Sequence, residues 1–113
     1  MEIETEKKDG VTIALIPVKE LDAGNAGELK RLMAPVLESS SSVVIDLSRL
    51  EFIDSSGLGA ILSWLRQMSE RGGDLKLCGL TKQVRSAFEL VRMHRIFDIF
   101  ENRAEAVRAF SPR

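Results

Sequence analysis

The sequence predicts an α/β fold with a mixed, mostly parallel sheet, an antiparallel edge strand and helices that cover the sheet. Apolar β-branched runs alternate with segments whose apolar residues recur at spacings of three and four. Such alternation requires crossover connections, and these join parallel strands. An Asp-Gly pair at 9–10 separates a weak strand at 2–7 from a clear one at 11–18, and this pair is typical of a hairpin turn. The hairpin provides the antiparallel edge.

Size and composition indicate one folded domain spanning 1–113. The chain has 113 residues, of which 44% are hydrophobic, which is enough to form a core. Its net charge of -1 indicates neither a nucleic-acid interface nor an electrostatic membrane anchor. No run approaches the ~20 apolar residues of a membrane span, and the opening MEIETEKK lacks an apolar secretory core. We therefore expect a cytoplasmic protein with no membrane insertion.

The first predicted helix covers residues 26–37. Its apolar residues form one stripe at helical spacing. Asp22 or Asn25 can cap its start with a side-chain oxygen. Pro35 removes a helical hydrogen bond, so we expect either a kink or an early end of the helix there.

The rest of the chain continues the alternation of strands and helices. The apolar run VVIDL at 43–47 is typical of a strand buried on both faces of a sheet. A second helix runs from Ser55 to about Arg71, where two glycines end it. The remaining predicted elements are a strand at 75–78, a helix capped by Thr81, a short strand at 96–100 and a helix at 104–110.

The start of the second helix, Asp54-Ser55-Ser56-Gly57, is the most informative segment. The first turn of a helix presents unpaired backbone N–H groups and the positive end of the helix dipole. A carboxylate and two hydroxyls suit capping there, and they also suit a hydroxyl that receives a phosphoryl group. Gly57 and Gly59 lower helix propensity in this turn, and we interpret them as positions where another backbone comes close.

The sequence closely resembles the STAS domain family, in particular the bacterial anti-sigma factor antagonists. The matching segments are ELD at 20–22, VVIDLS at 43–48, FIDSSGLGAIL at 52–62 and GGDLKLCGL at 72–80. They cover nearly the whole chain, so the resemblance implies a single STAS domain. The chain departs from the family pattern at Lys19, where Gly is usual, and at Asn25, where Thr is common.

The resemblance implies a switchable binding module. In the family, the first serine after the aspartate is phosphorylated by a partner that is both a serine kinase and an anti-sigma factor; by position this serine is Ser55. The unphosphorylated protein binds the anti-sigma factor and so frees a sigma factor, and a separate phosphatase reverses the phosphorylation. Two other roles share the fold, a scaffold of a stress-signalling complex and a regulatory subunit of a transporter. A monomer is the default expectation, and short exposed strands leave a dimer open.

We expect the partner to contact the helix start and the outer face of the helix. The candidate residues are Asp22, Asp54, Ser56, Gly57, Gly59 and Trp64. Trp64 is included because it lies off the apolar stripe of the second helix, and aromatic side chains anchor interfaces. Partial burial of Trp64 under a loop is the alternative. For the two serines and the aspartate the alternative role is capping alone.

No residue pattern supports catalysis, a metal site or a cofactor. The single histidine, His94, has no catalytic spacing to Ser55, so a hydrolase lacks a base. The single cysteine, Cys78, excludes a disulfide framework and a multi-cysteine zinc site, and in a strand we expect it to be an inert buried thiol. No phosphate-loop or dinucleotide fingerprint is present. Asp46, at the end of a buried strand, is expected to accept hydrogen bonds from loop amides.

Overall fold

The computed structural model describes residues 1–110 and has the predicted α/β architecture. The strands are β1 Glu4–Lys8, β2 Val11–Leu15, β3 Glu20–Leu21, β4 Ser42–Asp46, β5 Phe52–Ile53, β6 Asp74–Cys78 and β7 Asp98–Phe100. The helices are α1 Ala26–Glu38, α2 Ser55–Glu70, α3 Lys82–Leu90 and α4 Arg103–Arg108, with a 3-10 turn at Met93–Arg95. A five-stranded sheet has the order β1-β2-β4-β6-β7, and β3 pairs with β5 in a separate two-stranded sheet.

The first two strands form the predicted antiparallel hairpin. Lys8 lies opposite Val11, which leaves Asp9 and Gly10 as the turn, with φ angles of 53° and 80°. Positive φ at both central positions is the geometry of a type I′ turn, whose twist matches that of the two strands. The pairs β2–β4, β4–β6 and β6–β7 are all parallel. The predicted sheet, mostly parallel with one antiparallel edge, is therefore confirmed.

Each face of the five-stranded sheet has its own core, because successive strand residues point to opposite faces. The larger core lies under α1, α2 and α3 and contains Trp64, Phe88 and Leu29 among its fully buried side chains. The smaller core, on the opposite face under α4, consists of Val11, Ile13, Val44, Cys78, Ala106 and Val107. β4 contributes side chains to both cores, as its continuous apolar run predicts.

Some element bounds differ from the predictions. α1 continues through Pro35 to Glu38, so the expected early end is wrong. Its buried stripe extends past Pro35 to Leu37, and packing of that stripe offsets the lost hydrogen bond. β7 begins only at Asp98, because the N–H of Ile96 is used by the preceding turn, where it donates to the carbonyl of Met93 at 3.1 Å.

An ion pair fastens α4 to the sheet. Asp46 is only 6% exposed and accepts hydrogen bonds from Arg103 Nε at 2.6 Å and from the N–H of Ser48 at 2.8 Å. Arg103 also reaches Glu6 on β1 at 2.8 Å. Burial opposes the ionisation of Asp46, but the hydrogen bonds from Arg103 and Ser48 outweigh it and lower the pKa of Asp46. The bond from Ser48 confirms that Asp46 holds a loop amide.

We expect Arg103→Ala to lower the free energy of unfolding at pH 7 by about 1–2 kcal/mol, because Asp46 then stays buried without its cation while the partial exposure of Arg103 limits the loss. A lowered carboxyl pKa stabilises the fold above the unfolded pKa, and this stabilisation disappears as the pH falls through the folded pKa. The difference from the wild type should therefore shrink towards about pH 3.

Urea unfolding at the two pH values measures this difference. Arg108→Ala is the matched control, since Arg108 is exposed on the same helix. Equal stability of Arg103→Ala and the wild type at pH 7 would show that the ion pair does not hold α4.

Candidate functional site

α2 begins at Ser55, and Asp54 is its N-cap. The backbone of Asp54 is extended, with φ -107° and ψ -172°, and its Oδ1 accepts the N–H of Gly57 at 2.9 Å. This bond, with a further one from the N–H of Ala23, lowers the pKa of the Asp54 carboxyl. Asp54 is therefore ionised at neutral pH, at the end of α2 where the helix dipole favours a negative charge. The predicted capping role of Asp54 is confirmed.

The two-stranded sheet brings a second backbone segment to this helix start. Glu20 pairs with Phe52, and Leu21 pairs with Ile53. The N–H of Asp54 donates to the Leu21 carbonyl at 3.2 Å. Sequence patterns did not predict β3 and β5, because a two-residue strand is too short to show a period.

The turn of the loop 22–25, between β3 and α1, is stabilised by hydrogen bonds to its own side chains. Asp22 Oδ1 accepts the N–H of Gly24 at 2.9 Å, and Asn25 Oδ1 accepts the N–H of Asp22 at 2.9 Å. Asn25 Nδ2 donates to the Glu20 carbonyl at 2.7 Å. Asn25 occupies the N-cap position of α1, but its side chain makes no cap bond. The predicted side-chain cap by Asp22 or Asn25 is therefore wrong, because both side chains fold the loop instead.

The carboxylate of Asp54 bridges two chain segments. Its Oδ1 holds Gly57 in the first turn of α2, and its Oδ2 accepts the N–H of Ala23 in the loop at 3.1 Å. The loop 22–25 is thereby tied to the residue that precedes Ser55.

The two glycines of this turn have different surroundings. A Cβ at Gly57 would lie 2.4 Å from the Leu21 carbonyl oxygen and 2.7 Å from Cγ1 of Ile53. Gly57 is buried, so the expectation that it contacts a partner is wrong: the backbone that comes close belongs to β3 of the same chain. Gly59 is exposed, with no atom within 4 Å of the corresponding Cβ position, and its contact with a partner stays a prediction.

Trp64 does not lie on the outer face of α2. Trp64 is 0% exposed and belongs to the main core, and Ala60 belongs to it too. The expected contact of Trp64 with a partner is therefore wrong, and so is the alternative of partial burial under a loop. α2 packs against α1 as well as against β6, and this buries a wider arc than the predicted stripe. Leu65, which the apolar spacing of three and four residues along this helix places on the predicted stripe, is only half-buried.

The surface around the helix start is open and partly apolar. Ser55 and Ser56 are both exposed. Phe52 is 52% exposed and, with Lys19 and Gln83, lines a depression of about 580 Å³. Sequence reasoning missed Phe52, because its outward position follows from alternation with the buried Ile53 in β5, a strand that the sequence did not predict. An exposed aromatic side chain three residues before Ser55 suits contact with another protein.

A thiol and an imidazole occur once each in the chain, at Cys78 and His94. Burial and the neighbouring Asp46 carboxylate raise the pKa of the Cys78 thiol to about 12, so it is protonated at neutral pH and inert. His94 Nδ1 is buried without a hydrogen-bond partner in the described residues. Within residues 1–110, no cluster of three or more His, Cys, Asp or Glu could hold a metal ion. The same part of the chain has no helix long and apolar enough to cross a membrane.

Comparison with known proteins decides the family. Residues 2–106 match the model of the STAS domain. The chain belongs to the STAS domain family. The predicted family and its α/β fold are thus confirmed.

Individual STAS relatives match over almost their whole length. BtrV of Bordetella bronchiseptica, named as a candidate anti-sigma factor antagonist, is 35% identical over 111 residues, which cover 97% of this chain and 95% of BtrV. The anti-sigma F factor antagonist of Paenibacillus polymyxa is 28% identical over 109 residues, or 95% of this chain and 92% of the relative. The crystal structure of a candidate anti-sigma factor antagonist from Thermotoga maritima has a TM-score of 0.86 at 28% identity, covering 95% of this chain and 92% of that one.

We expect opposite effects from alanine at the two glycines of α2. Gly57→Ala should destabilise the protein by about 2–3 kcal/mol, because the new methyl group meets a backbone carbonyl that cannot move without disrupting β3. Gly59→Ala should stabilise it by about 0.5–1 kcal/mol, because alanine has the higher helix propensity and open space surrounds this position. Chemical unfolding followed by circular dichroism measures both, and equal effects of the two substitutions would contradict the contact between Gly57 and Leu21.

Proposed function

We propose that this protein is an anti-sigma factor antagonist whose binding is switched by phosphorylation of Ser55. The observation that carries the proposal is the position of Ser55. It is an exposed hydroxyl at the first residue of a 16-residue helix, next to the fixed carboxylate of Asp54. Relatives that match almost the whole chain are named as antagonists or candidate antagonists of anti-sigma factors, which supports the choice of partner.

The docking surface consists of β5, the loop 22–25 and the first turns of α2. Phe52 supplies an exposed apolar side chain to it. Asp22, Ser56 and Gly59 supply polar and backbone contacts around Ser55. When Ser55 is unmodified, this surface binds the anti-sigma factor, and the sigma factor that the partner would otherwise hold is released.

Phosphorylation weakens this binding through charge. A phosphoserine carries about -1.5 to -2 charge at neutral pH. Here it arrives beside Asp54, whose carboxylate is hydrogen-bonded to the loop that carries Asp22. Repulsion between these groups and the desolvation of a dianion in an interface both oppose docking.

The chain itself acts as the substrate of its partners and catalyses no reaction in this cycle. The anti-sigma factor, acting as a serine kinase, transfers the γ-phosphoryl group of ATP to Ser55 Oγ; the hydroxyl proton is released and ADP leaves. A phosphatase then hydrolyses the phosphoserine to serine and inorganic phosphate. We place this cycle in the cytoplasm, with the chain acting as a monomer and without a cofactor.

We expect Ser55→Ala to bind the anti-sigma factor with an affinity close to that of the wild type and to incorporate no phosphate from ATP, because it lacks the acceptor hydroxyl. Ser55→Asp should bind roughly tenfold more weakly or worse, because a permanent carboxylate partly reproduces the phosphate charge. Isothermal titration calorimetry and a radiolabelled phosphate assay measure the two effects.

Ser56→Ala is the matched control and should be phosphorylated like the wild type. Wild-type affinity of Ser55→Asp, or phosphate incorporation into Ser55→Ala, would show that Ser55 is not the switch.

A further inference from the structure

Asp54, the residue before Ser55, is connected to the loop 22–25 by a single hydrogen bond. Asp54 accepts the N–H of Ala23 at 3.1 Å through Oδ2, while Oδ1 holds the N–H of Gly57 at 2.9 Å. One carboxylate therefore holds together two parts of the proposed docking surface, the loop and the first turn of α2.

The other polar groups of the loop are bound independently of Asp54. The N–H of Gly24 donates to Asp22 Oδ1, and the N–H of Asn25 donates to the Asp22 carbonyl at 3.1 Å. The loop therefore keeps its internal turn when Asp54 moves, and it loses its attachment to Asp54 through the N–H of Ala23.

A phosphate on Ser55 competes with the Asp54 carboxylate for the same donors. Phosphate groups are favoured at helix N-termini, and a phosphoserine brings three strong acceptor oxygens to the first turn. The carboxylate of the preceding residue is repelled by the dianion and loses its N–H partner in α2 to it. Because the same carboxylate holds Ala23, its displacement also frees the loop.

We propose that Asp54 couples Ser55 to the loop 22–25, so that phosphorylation of Ser55 withdraws the carboxylate from Ala23 and releases the loop from α2. This inference rests on the proposed function in one respect, the choice of Ser55 as the phosphoacceptor. The switch then acts twice: it adds charge to the docking surface, and it removes the hydrogen bond that fixes the loop carrying Asp22 against the start of α2.

Amide hydrogen exchange of the isolated chain, measured by NMR, tests the coupling. Phosphoserine is installed at position 55 during translation, so no kinase is needed. The amide of Ala23 should exchange about three- to tenfold faster than in the unmodified chain, since one hydrogen bond is lost. The amide of Gly24 should keep its rate and serves as the internal control. Phosphoserine at position 69, exposed at the far end of α2, should leave Ala23 unchanged.

A second variant, Asp54→Ser, separates the helix cap at Gly57 from the hydrogen bond to Ala23. Serine is a good N-cap residue, but its single oxygen cannot hold two distant donors. In Asp54→Ser, Ala23 should therefore exchange faster without any phosphate, while Gly57 stays protected. The exchange rates of the β4 amides report whether this variant is folded.

Unchanged exchange of Ala23 in the chain with phosphoserine 55 would overturn the coupling, whether or not Asp54→Ser accelerates it. The experiment involves neither the kinase nor the anti-sigma factor, so its failure leaves the proposed function standing. Conversely, wild-type binding of the anti-sigma factor by Ser55→Asp would contradict the proposed function. It would not affect the conclusion from a measured increase in the exchange of Ala23.

Discussion

The site depends on a contact between backbone atoms. The Leu21 carbonyl lies against Gly57, at a distance where any side chain on residue 57 would collide with it. The same carbonyl accepts the N–H of Asp54 at 3.2 Å. Because of this contact, β3 packs against the first turn of α2 and the next loop comes within reach of the Asp54 carboxylate. Ser55 is consequently presented by a rigid helix whose start is fixed by neighbouring segments, which is the arrangement that precise recognition requires.

The opposite face of the sheet contributes stability and takes no part in the proposed switch. There, Lys76 is buried between Asp74 and Asp98, at 3.1 and 2.8 Å, and its Nζ lies 4.7 Å from the centre of the Phe110 ring. The pair between Arg103 and Asp46 holds α4 over the second core. The contacts that hold α4 and the proposed switch therefore involve different residues, so that loss of the α4 contacts and loss of the Ser55 contacts should have separable effects.

The long elements were predictable because burial leaves a period in the sequence, and the DSSG segment identified the helix start. Two-residue strands leave no such period, so β3, β5 and their contact with α2 came only from the structure. A glycine indicates that another group comes close to the backbone, but it does not identify that group. The close approach at Gly57 was therefore attributed to a partner protein and not to the Leu21 carbonyl. Trp64 was misplaced because α2 is buried over a wider arc than its stripe. Phe52 was missed because its outward position depends on β5, which the sequence did not predict.

Mass spectrometry of the native protein from growing and stressed cells, with the phosphosite localised by fragmentation, tests most directly whether Ser55 is the switch. We predict one phosphate on Ser55, with an occupancy that changes between the two conditions. Phosphate confined to another residue, or absent from Ser55 in every condition where the protein is abundant, would contradict the proposed switch.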